Sequence, residues 1–454
     1  MITARAFAGK HYAVYGLARS GLATVEALLA SGAKVTAWDG KLAPSPPGGE
    51  GRGEGARRLS ELSNAEHPHP ALSLQGEGLE IADLDSADLS QFDSIVVTPG
   101  LPLNRHPIAQ RARDAGVEII GDIELFARAR PELPPHKVVG ITGTNGKSTT
   151  TALIHHILQT AGVPSLMGGN IGLPILSQDP LPKGGVYVLE LSSYQIDLTK
   201  SLDCDVAVLL NITPDHLDRY PSFEAYRKSK LRLFDLQTPG HIAIYDFDGA
   251  EALQIEAARP DKNDRLWFDE DIVDLVTSWS DLPNLSGPHN RRNASAATVV
   301  CQALGVPFSE YALTSFTGLP HRMERIRDLG GVAFVNDSKA TNPASTAPAL
   351  AAFPAIRWIC GGQAKTDNLD ECAASFGHVR AAYTIGEAGE LFASLLSPHM
   401  PVTTCETLEN AVERAAEDSQ PGETVLLSPA CASFDQFRDF EQRGDRFREL
   451  VEAL

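Results

Sequence analysis

The chain has 454 residues, 43% of them hydrophobic and 21% charged, which is too long for one ordinary core and close to the globular average in composition. A formal charge of −19 at pH 7 argues against a protein that grips nucleic acid or an anionic membrane, since both need a basic surface. No apolar run has the length of a membrane span or a signal-peptide core, and the six cysteines are scattered without a C-x-x-C pair, as expected of reduced thiols in a cytoplasmic protein.

In chain order, HYAVYG (11–16) is a short apolar run ending in a glycine turn, and LATVEALLASG carries apolar residues at helical spacing until Gly32 stops it. AKVTAWD reads as a second strand, so the chain opens as a Rossmann-like half, continued by DSIVVTPG and HPIAQRARDAGVEII. The turn GLARSG (Gly16–Gly21), with Asp39 ending the next strand, nearly matches a dinucleotide fingerprint, with Ala18 in the middle-glycine place. It fits either close helix–strand packing or a nucleotide diphosphate, NAD included, lying on a helix N-terminus. Residues 44–79 are crowded with Gly, Pro, Glu and Arg and lack periodicity; they read as a flexible surface insert, with a regulatory or binding loop as the other reading.

Pro131, Pro134 and Pro135 form a breaker-rich joint before the strand KVVGIT and mark a domain boundary. The short apolar runs VYVLE, VAVLLNI and HIAIYD that follow suit a parallel sheet buried on both faces. After FTGLPHRME, strands are expected at VAFVND, IRWICGG, AAYTIGE and TVLLSPA. The expected architecture is α/β in three domains: a Rossmann-like unit over 1–132, a central nucleotide-binding unit with a mainly parallel sheet over 133–319, and a Rossmann-like unit over 320–454.

The segment KVVGITGTNGKSTTTALIHHIL has the order strand, glycine loop, helix. Gly143, Asn145 and Gly146 can bring backbone N–H groups to phosphate oxygens, Lys147 supplies a point charge, and Ser148 or Thr149 can hold a magnesium ion. The spacing departs from G-x-x-x-x-G-K-[ST], because the glycine stands at 140 and position 141 is Ile. Glu190 ends a buried strand at the carboxyl edge, where α/β sites lie, and His216 and Asp218 follow the next strand.

The blocks GTNGKST, GGNIGLP, LELSSYQ, DHLDRY, YRKSK, GPHN, GLPHRME, NDSKATNP and SPACASFDQF, in that order, resemble the Mur ligases of peptidoglycan synthesis. The resemblance runs from about Tyr12 to the C-terminus, leaving out the 44–79 insert. It implies an ATP- and Mg2+-dependent ligase that phosphorylates the alanine carboxylate of UDP-N-acetylmuramoyl-L-alanine and joins it to the amine of D-glutamate, in a cytoplasmic monomer. Its physical reason is that a carboxylate is a poor electrophile until phosphorylation installs a leaving group.

Carried over by motif, the resemblance implies an ATP loop of Gly143, Thr144, Asn145, Gly146, Lys147, Ser148 and Thr149, with Asn290 and Asn293 against the adenine and Arg322 and Asp337 at the γ-phosphate and ribose. Ser148 and Glu190 would ligate one metal ion and His216 a second, with Lys230 modified to an anionic carbamate. The UDP-sugar would meet Ala18, Arg19, Asp39, Lys41, Gly100, Asn170, Ser192 and His216. D-Glutamate would meet Lys339, Thr341, Lys365, Ser433, Phe434 and Phe440. Lys41 stands where the family commonly has arginine, and Phe434 where a smaller leucine is usual. Other readings are another Mur ligase or a folylpolyglutamate synthase, which lacks the SPACASFDQF segment. From different classes come an NAD-dependent oxidoreductase built on GLARSG and a non-catalytic nucleotide-sensing module.

Overall fold

The computed structural model describes residues 1–39, 78–216, 219–246, 264–268, 282, 285, 288–307 and 309–454. Lys41, Asp218 and most of the 44–79 insert lie outside these residues; of the insert, Gly78 and Leu79 are described, and Leu79 opens a strand. The chain folds as two compact units, one of Met1–Val276 with Arg292–Ala312, the other of Thr277–Arg291 with Leu313–Leu454.

The first unit holds two sheets. β1 (His11–Tyr15), β2 (Lys34–Trp38), β3 (Leu79–Ile81), β4 (Ser94–Val97) and β5 (Glu118–Ile120) form a parallel sheet in the order β3-β2-β1-β4-β5, with α1 (Arg19–Ala30), α2 (Ile108–Asp114) and α3 (Asp122–Ala129) between strands. The chain turns back between β1 and β4, so a switch-point crevice opens at their carboxyl ends, where such sheets bind ligands. Gly16 has φ +96°, and a Cβ on Gly21 would stand 1.9 Å from the Gly16 carbonyl oxygen; only glycines let α1 start this close to β1.

The second sheet is built from β6 (His136–Thr142), β7 (Ser165–Gly169), β8 (Gly185–Glu190), β9 (Val206–Leu209), β10 (Ile242–Asp246) and β11 (Arg265–Phe268), all parallel, in the order β11-β10-β9-β6-β8-β7. With it run α4 (Lys147–Thr160), α5 (Ser193–Asp197), α6 (Phe223–Asp235), α7 (Pro288–Ala303) from Arg292 onward and α8 (Glu310–Thr314) as far as Ala312. Register sets Ile141 beside Glu190 and Thr142 beside Leu209, so the loops after β6, β8 and β9 leave the sheet at one edge. A continuous core joins the two sheets, with the Phe126 ring of α3 edge-on to Tyr187 of β8 at 5.0 Å.

The other unit contains a six-stranded sheet of β12 (Glu324–Leu329), β13 (Val332–Asn336), β14 (Ile356–Gly361), β15 (Val379–Ile385), β16 (Val402–Glu406) and β17 (Thr424–Leu427), ordered β12-β13-β17-β14-β15-β16. It is parallel except for β12, which runs against β13. α9 (Pro343–Ala351), α10 (Gly389–Leu396), α11 (Leu408–Asp418) and α12 (Phe440–Ala453) accompany it. Trp358, fully buried in β14, donates its indole N–H to the Ser428 carbonyl at 2.8 Å and fixes the start of the loop after β17.

Candidate active site

The phosphate loop leaves β6 at Thr142 and enters α4 at Lys147. Gly143 and Gly146 hold φ of +153° and +85°, values that a side chain would strain. A Cβ on Gly146 would also fall 2.3 Å from Asn293 Oδ1, so the loop lies directly against α7. No side chain caps α4, which leaves its first-turn amides pointing into the loop, as at an anion-binding helix end. The loop is braced from β9: Thr144 N donates to the Asn211 carbonyl and Asn145 N to Asn211 Oδ1, both at 2.9 Å. Asn211 was not among the sequence candidates, although it lies in the apolar run VAVLLNI just before the block that holds His216.

Lys147 Nζ donates to the carbonyls of Gly143 and Thr144 at 2.9 and 2.7 Å, and Lys230 Nζ reaches the same Gly143 carbonyl at 2.7 Å from α6. Two lysine side chains therefore converge on one backbone oxygen. Lys230 is 2% exposed; burial first, and then the charge of Lys147, hold its amine well below the ordinary lysine value. Its Nζ also lies 4.7 Å over the ring of Tyr226, whose hydroxyl is 3.2 Å from Thr144 Oγ1 and whose ring is 5.9 Å from that of His216. Tyr226 is thus the shared neighbour of three candidates and was missed by sequence; the signal available was its place one helical turn before Lys230.

Ser148 Oγ donates to Glu190 Oε2 at 2.5 Å, and Asn170 Nδ2 donates to Glu190 Oε1 at 3.1 Å. Gly169 makes this possible, for a Cβ there would stand 2.1 Å from the Glu190 carbonyl oxygen. One buried carboxylate therefore connects the phosphate loop with the GGNIGLP segment. His216 holds φ +55°, an uncommon conformation for a side-chain-bearing residue, with the Tyr194 ring 5.0 Å away. Ser192 caps α5 in a reciprocal box with Gln195. Asn290 and Asn293 stand three residues apart on α7, both buried, and Thr150 Oγ1 donates to Asn293 Oδ1 at 3.3 Å. Thr149 sits beside Ser148 in the first turn of α4.

At the switch point of the first sheet lies a cleft of about 500 Å³. Its walls include Ala18, Arg19, Asp39 and Gly100 from the first sheet and Asn170 and Gln195 from the second. Asp39 Oδ2 accepts from Leu17 N at 2.9 Å, locking the glycine turn to the end of β2. Arg219, another residue that sequence reasoning did not single out, donates to the Gly100 carbonyl at 2.9 Å and lies 4.6 Å over the Tyr194 ring.

In the other unit, Asp337 follows β13 directly and is buried, accepting from Ser428 Oγ at 2.8 Å and Met323 N at 3.2 Å; burial raises its carboxyl to about 7. Arg322, whose charge acts on Asp337, stands between His321 and Met323, which hold φ of +61° and +48°. Such paired left-handed residues mark a backbone held under strain by its surroundings. Lys365 Nζ donates to Thr341 Oγ1 at 3.2 Å, and Lys339 Nζ lies 5.2 Å over the Phe440 ring. Ser433 is buried, whereas Phe434 next to it is 68% exposed. Arg443, unnoticed in the sequence, is buried beneath this group and donates to the carbonyls of Ser338, Cys431 and Ala432.

A glycine loop at a helix N-terminus, facing a buried carboxylate at the carboxyl edge of a parallel sheet, defines a nucleotide-using α/β enzyme. Two family models match the chain, the Mur ligase middle domain over residues 141–272 and the Mur ligase glutamate ligase domain over 321–431. The chain is 57% identical to the UDP-N-acetylmuramoylalanine–D-glutamate ligase of Novosphingobium aromaticivorans, with 100% of this chain and 97% of that one covered. It is 53% identical to the ligase of the same name from Zymomonas mobilis, with both chains covered in full. Among solved structures, the UDP-N-acetylmuramate-alanine ligase of Thermotoga maritima shares the fold at a TM-score of 0.57 and 16% identity, covering 98% of this chain and 99% of that one. A MurF ligase from the same organism, solved with ADP, gives 0.55 at 18% identity, covering 77% and 92%. The chain belongs to the Mur ligase family.

Proposed function

We propose that this protein joins D-glutamate to UDP-N-acetylmuramoyl-L-alanine with ATP, through an acyl phosphate, as a cytoplasmic monomer in peptidoglycan precursor synthesis. The observation that carries this reading is the chain of contacts Ser148–Glu190–Asn170, which runs from the phosphate loop to the wall of the cleft. A nucleotide triphosphate on the loop and a sugar nucleotide in the cleft would meet at Glu190. The relatives that match over the whole chain carry the name of this ligase, and this favours it over other Mur ligases and folylpolyglutamate synthases. Among the described residues no helix is long and apolar enough to cross a membrane.

The residues fit magnesium: Ser148 and Glu190 offer hard oxygen atoms, and this ion takes only one or two protein ligands beside phosphates and water. When bound there, it neutralises charge that builds between phosphate and carboxylate. Lys147 supplies the cation for the β and γ phosphates. The depressed Lys230 amine attacks CO2, forming an N–C bond and losing a proton, and so becomes an anionic oxygen donor. His216 is assigned to a second metal position. The attacking amine of D-glutamate forms the C–N bond and gives up a proton as phosphate leaves the acyl carbon; Lys339, Lys365 and Thr341 suit its carboxylates, with Ser433, Phe434 and Phe440 shaping the site. Asn290 and Asn293 are assigned to adenine, and Arg322 and Asp337 to the phosphate and ribose. Ala18, Arg19, Asp39, Gly100, Asn170, Ser192 and His216 are assigned to the UDP-sugar.

The test is phosphate release from ATP with each substrate omitted in turn. Release that requires both the sugar nucleotide and D-glutamate supports the reading; equal turnover with L-glutamate or meso-diaminopimelate overturns the specificity.

A further inference from the structure

The switch-point cleft contains one acidic group to which the ligase reading gives no role. Asp122 is the first residue of α3, is 5% exposed, and lines the cleft together with Ser20 and Thr98. The amides of Asp122 and Ile123 bond its carboxylate, but its buried Oδ1 atom meets no hydrogen-bond partner among the described residues. Glu124, on the same helix and 1% exposed, shows the contrast: its carboxylate accepts from Arg128, from the amides of Lys200 and Ser201, and from the Ser201 hydroxyl. A buried carboxylate oxygen left unpaired costs stability, so the free protein carries a cost at Asp122 that it avoids at Glu124.

The surroundings say what would relieve that cost. Ser20, Thr98 and Asp122 also bound a small void of about 10 Å³ behind the cleft, close to the room one water needs. To one side the cleft presents the N-terminus of α1, Arg19 and Asp39; to the other, Asn170 and Gln195. Asp122 stands between them, because Gly121 N donates to the Leu198 carbonyl at 3.1 Å and fixes the start of α3 where the two sheets meet. A carboxylate there repels phosphate and attracts a donor. Burial raises its acid to about 6, which still leaves it ionised at about pH 8.

We infer that Asp122 is a further substrate-binding residue of the cleft, its free carboxylate oxygen accepting a hydrogen bond from a hydroxyl or amide N–H on the sugar, between the diphosphate and the acyl end. The inference rests on the sugar-nucleotide reading of the cleft. It makes Asp122 a specificity determinant that separates a UDP-sugar from UDP, and the unpaired oxygen a cost the ligand removes.

The experiment is calorimetric titration of UDP and of UDP-N-acetylmuramoyl-L-alanine into full-length wild type, Asp122→Asn and Asp122→Ala, with thermal unfolding of each free protein. Asp122→Ala is expected to raise the Kd of the sugar nucleotide about tenfold or more, the value of a hydrogen bond to a charged group, and to leave that of UDP within about twofold. Asp122→Asn, which keeps one acceptor, should show the same pattern with a smaller effect, and it carries the test if the alanine variant does not fold. Both free variants should melt at or above the wild-type temperature. Equal weakening for both ligands, or a lower melting temperature with unchanged affinities, would make Asp122 a structural charge on α3 and overturn the inference alone. Wild type binding neither ligand would overturn the sugar-nucleotide reading and the inference with it.

Discussion

Replacing Lys230 by methionine keeps the length of the side chain and removes its charge. In the structure the Lys230 and Lys147 nitrogens share the Gly143 oxygen at 2.7 and 2.9 Å, so they stand no further apart than the sum of those bonds. At an effective dielectric of about 20, two positive charges at that separation repel by about 3 kcal/mol. The substitution also loses one hydrogen bond, worth about 1 kcal/mol net. Lys230→Met should therefore be more stable than wild type by roughly 1–2 kcal/mol in CO2-free buffer at a pH low enough to keep the Lys230 amine protonated, read as a higher Tm. The sign extends to pH: the folded amine titrates below the unfolded value of 10.5, so the unfolded chain holds the extra proton, and wild-type stability rises with pH from the lowered value towards 10.5. The variant lacks that rise. Phosphate release should be abolished in the variant at any bicarbonate concentration, whereas wild type stripped of CO2 should recover activity when bicarbonate is returned. Full turnover by Lys230→Met, or a variant less stable than the lost hydrogen bond explains, would refute the reasoning.

Asp337→Asn tests the buried acid of the second unit. Its folded value, raised to about 7 from 3.8, gives stability that is complete below 3.8 and lost as pH rises through about 7; calorimetry at pH 5 and pH 8 should show a smaller fall in Tm for the variant than for wild type, and an identical fall would sink the assignment. ATP turnover in the same variant should drop at least about tenfold, because the Arg322 environment changes with it. Gly21→Ala places a methyl group 1.9 Å from the Gly16 carbonyl oxygen, so α1 must shift; KM for the sugar nucleotide should rise about tenfold or more with KM for ATP unchanged, and steady-state kinetics showing both unchanged would deny the turn a role in the cleft.

The central strands were legible because burial on both faces writes itself as an apolar run: β1, β6, β8, β9, β14 and β17 all stand out this way. The strands that escaped notice lie at or near sheet edges. β12 and β16 are half-exposed and polar, β3 and β11 are short with exposed apolar residues, and β7 ends in two glycines, Gly169 against Glu190, so no apolar run or alternation of useful length marks them. Chain order and motif spacing likewise set out the three sheets and the glycine loop that enters α4 at Lys147, because a loop between adjacent elements is a local property.

Tertiary structure decided which distant residues share a neighbour. Tyr226 against Thr144, Asn211 under the loop, and Arg443 beneath the Ser338 carbonyl are joined across dozens of residues by the return of strands to one edge. The same holds for the carboxylates. Nothing local in GDIELF says that Glu124 will find four donors while the Oδ1 of Asp122 finds none; that difference is made where α3 meets the loop at Lys200–Ser201 on one side and an open cleft on the other. Sequence by itself determined the local chemistry, because backbone propensity and short-range spacing are properties of neighbours in the chain. Desolvation and charge coupling depend on neighbours in space, so the buried Lys230 amine, the raised Asp337 acid and the unpaired Asp122 oxygen appeared only in the folded protein.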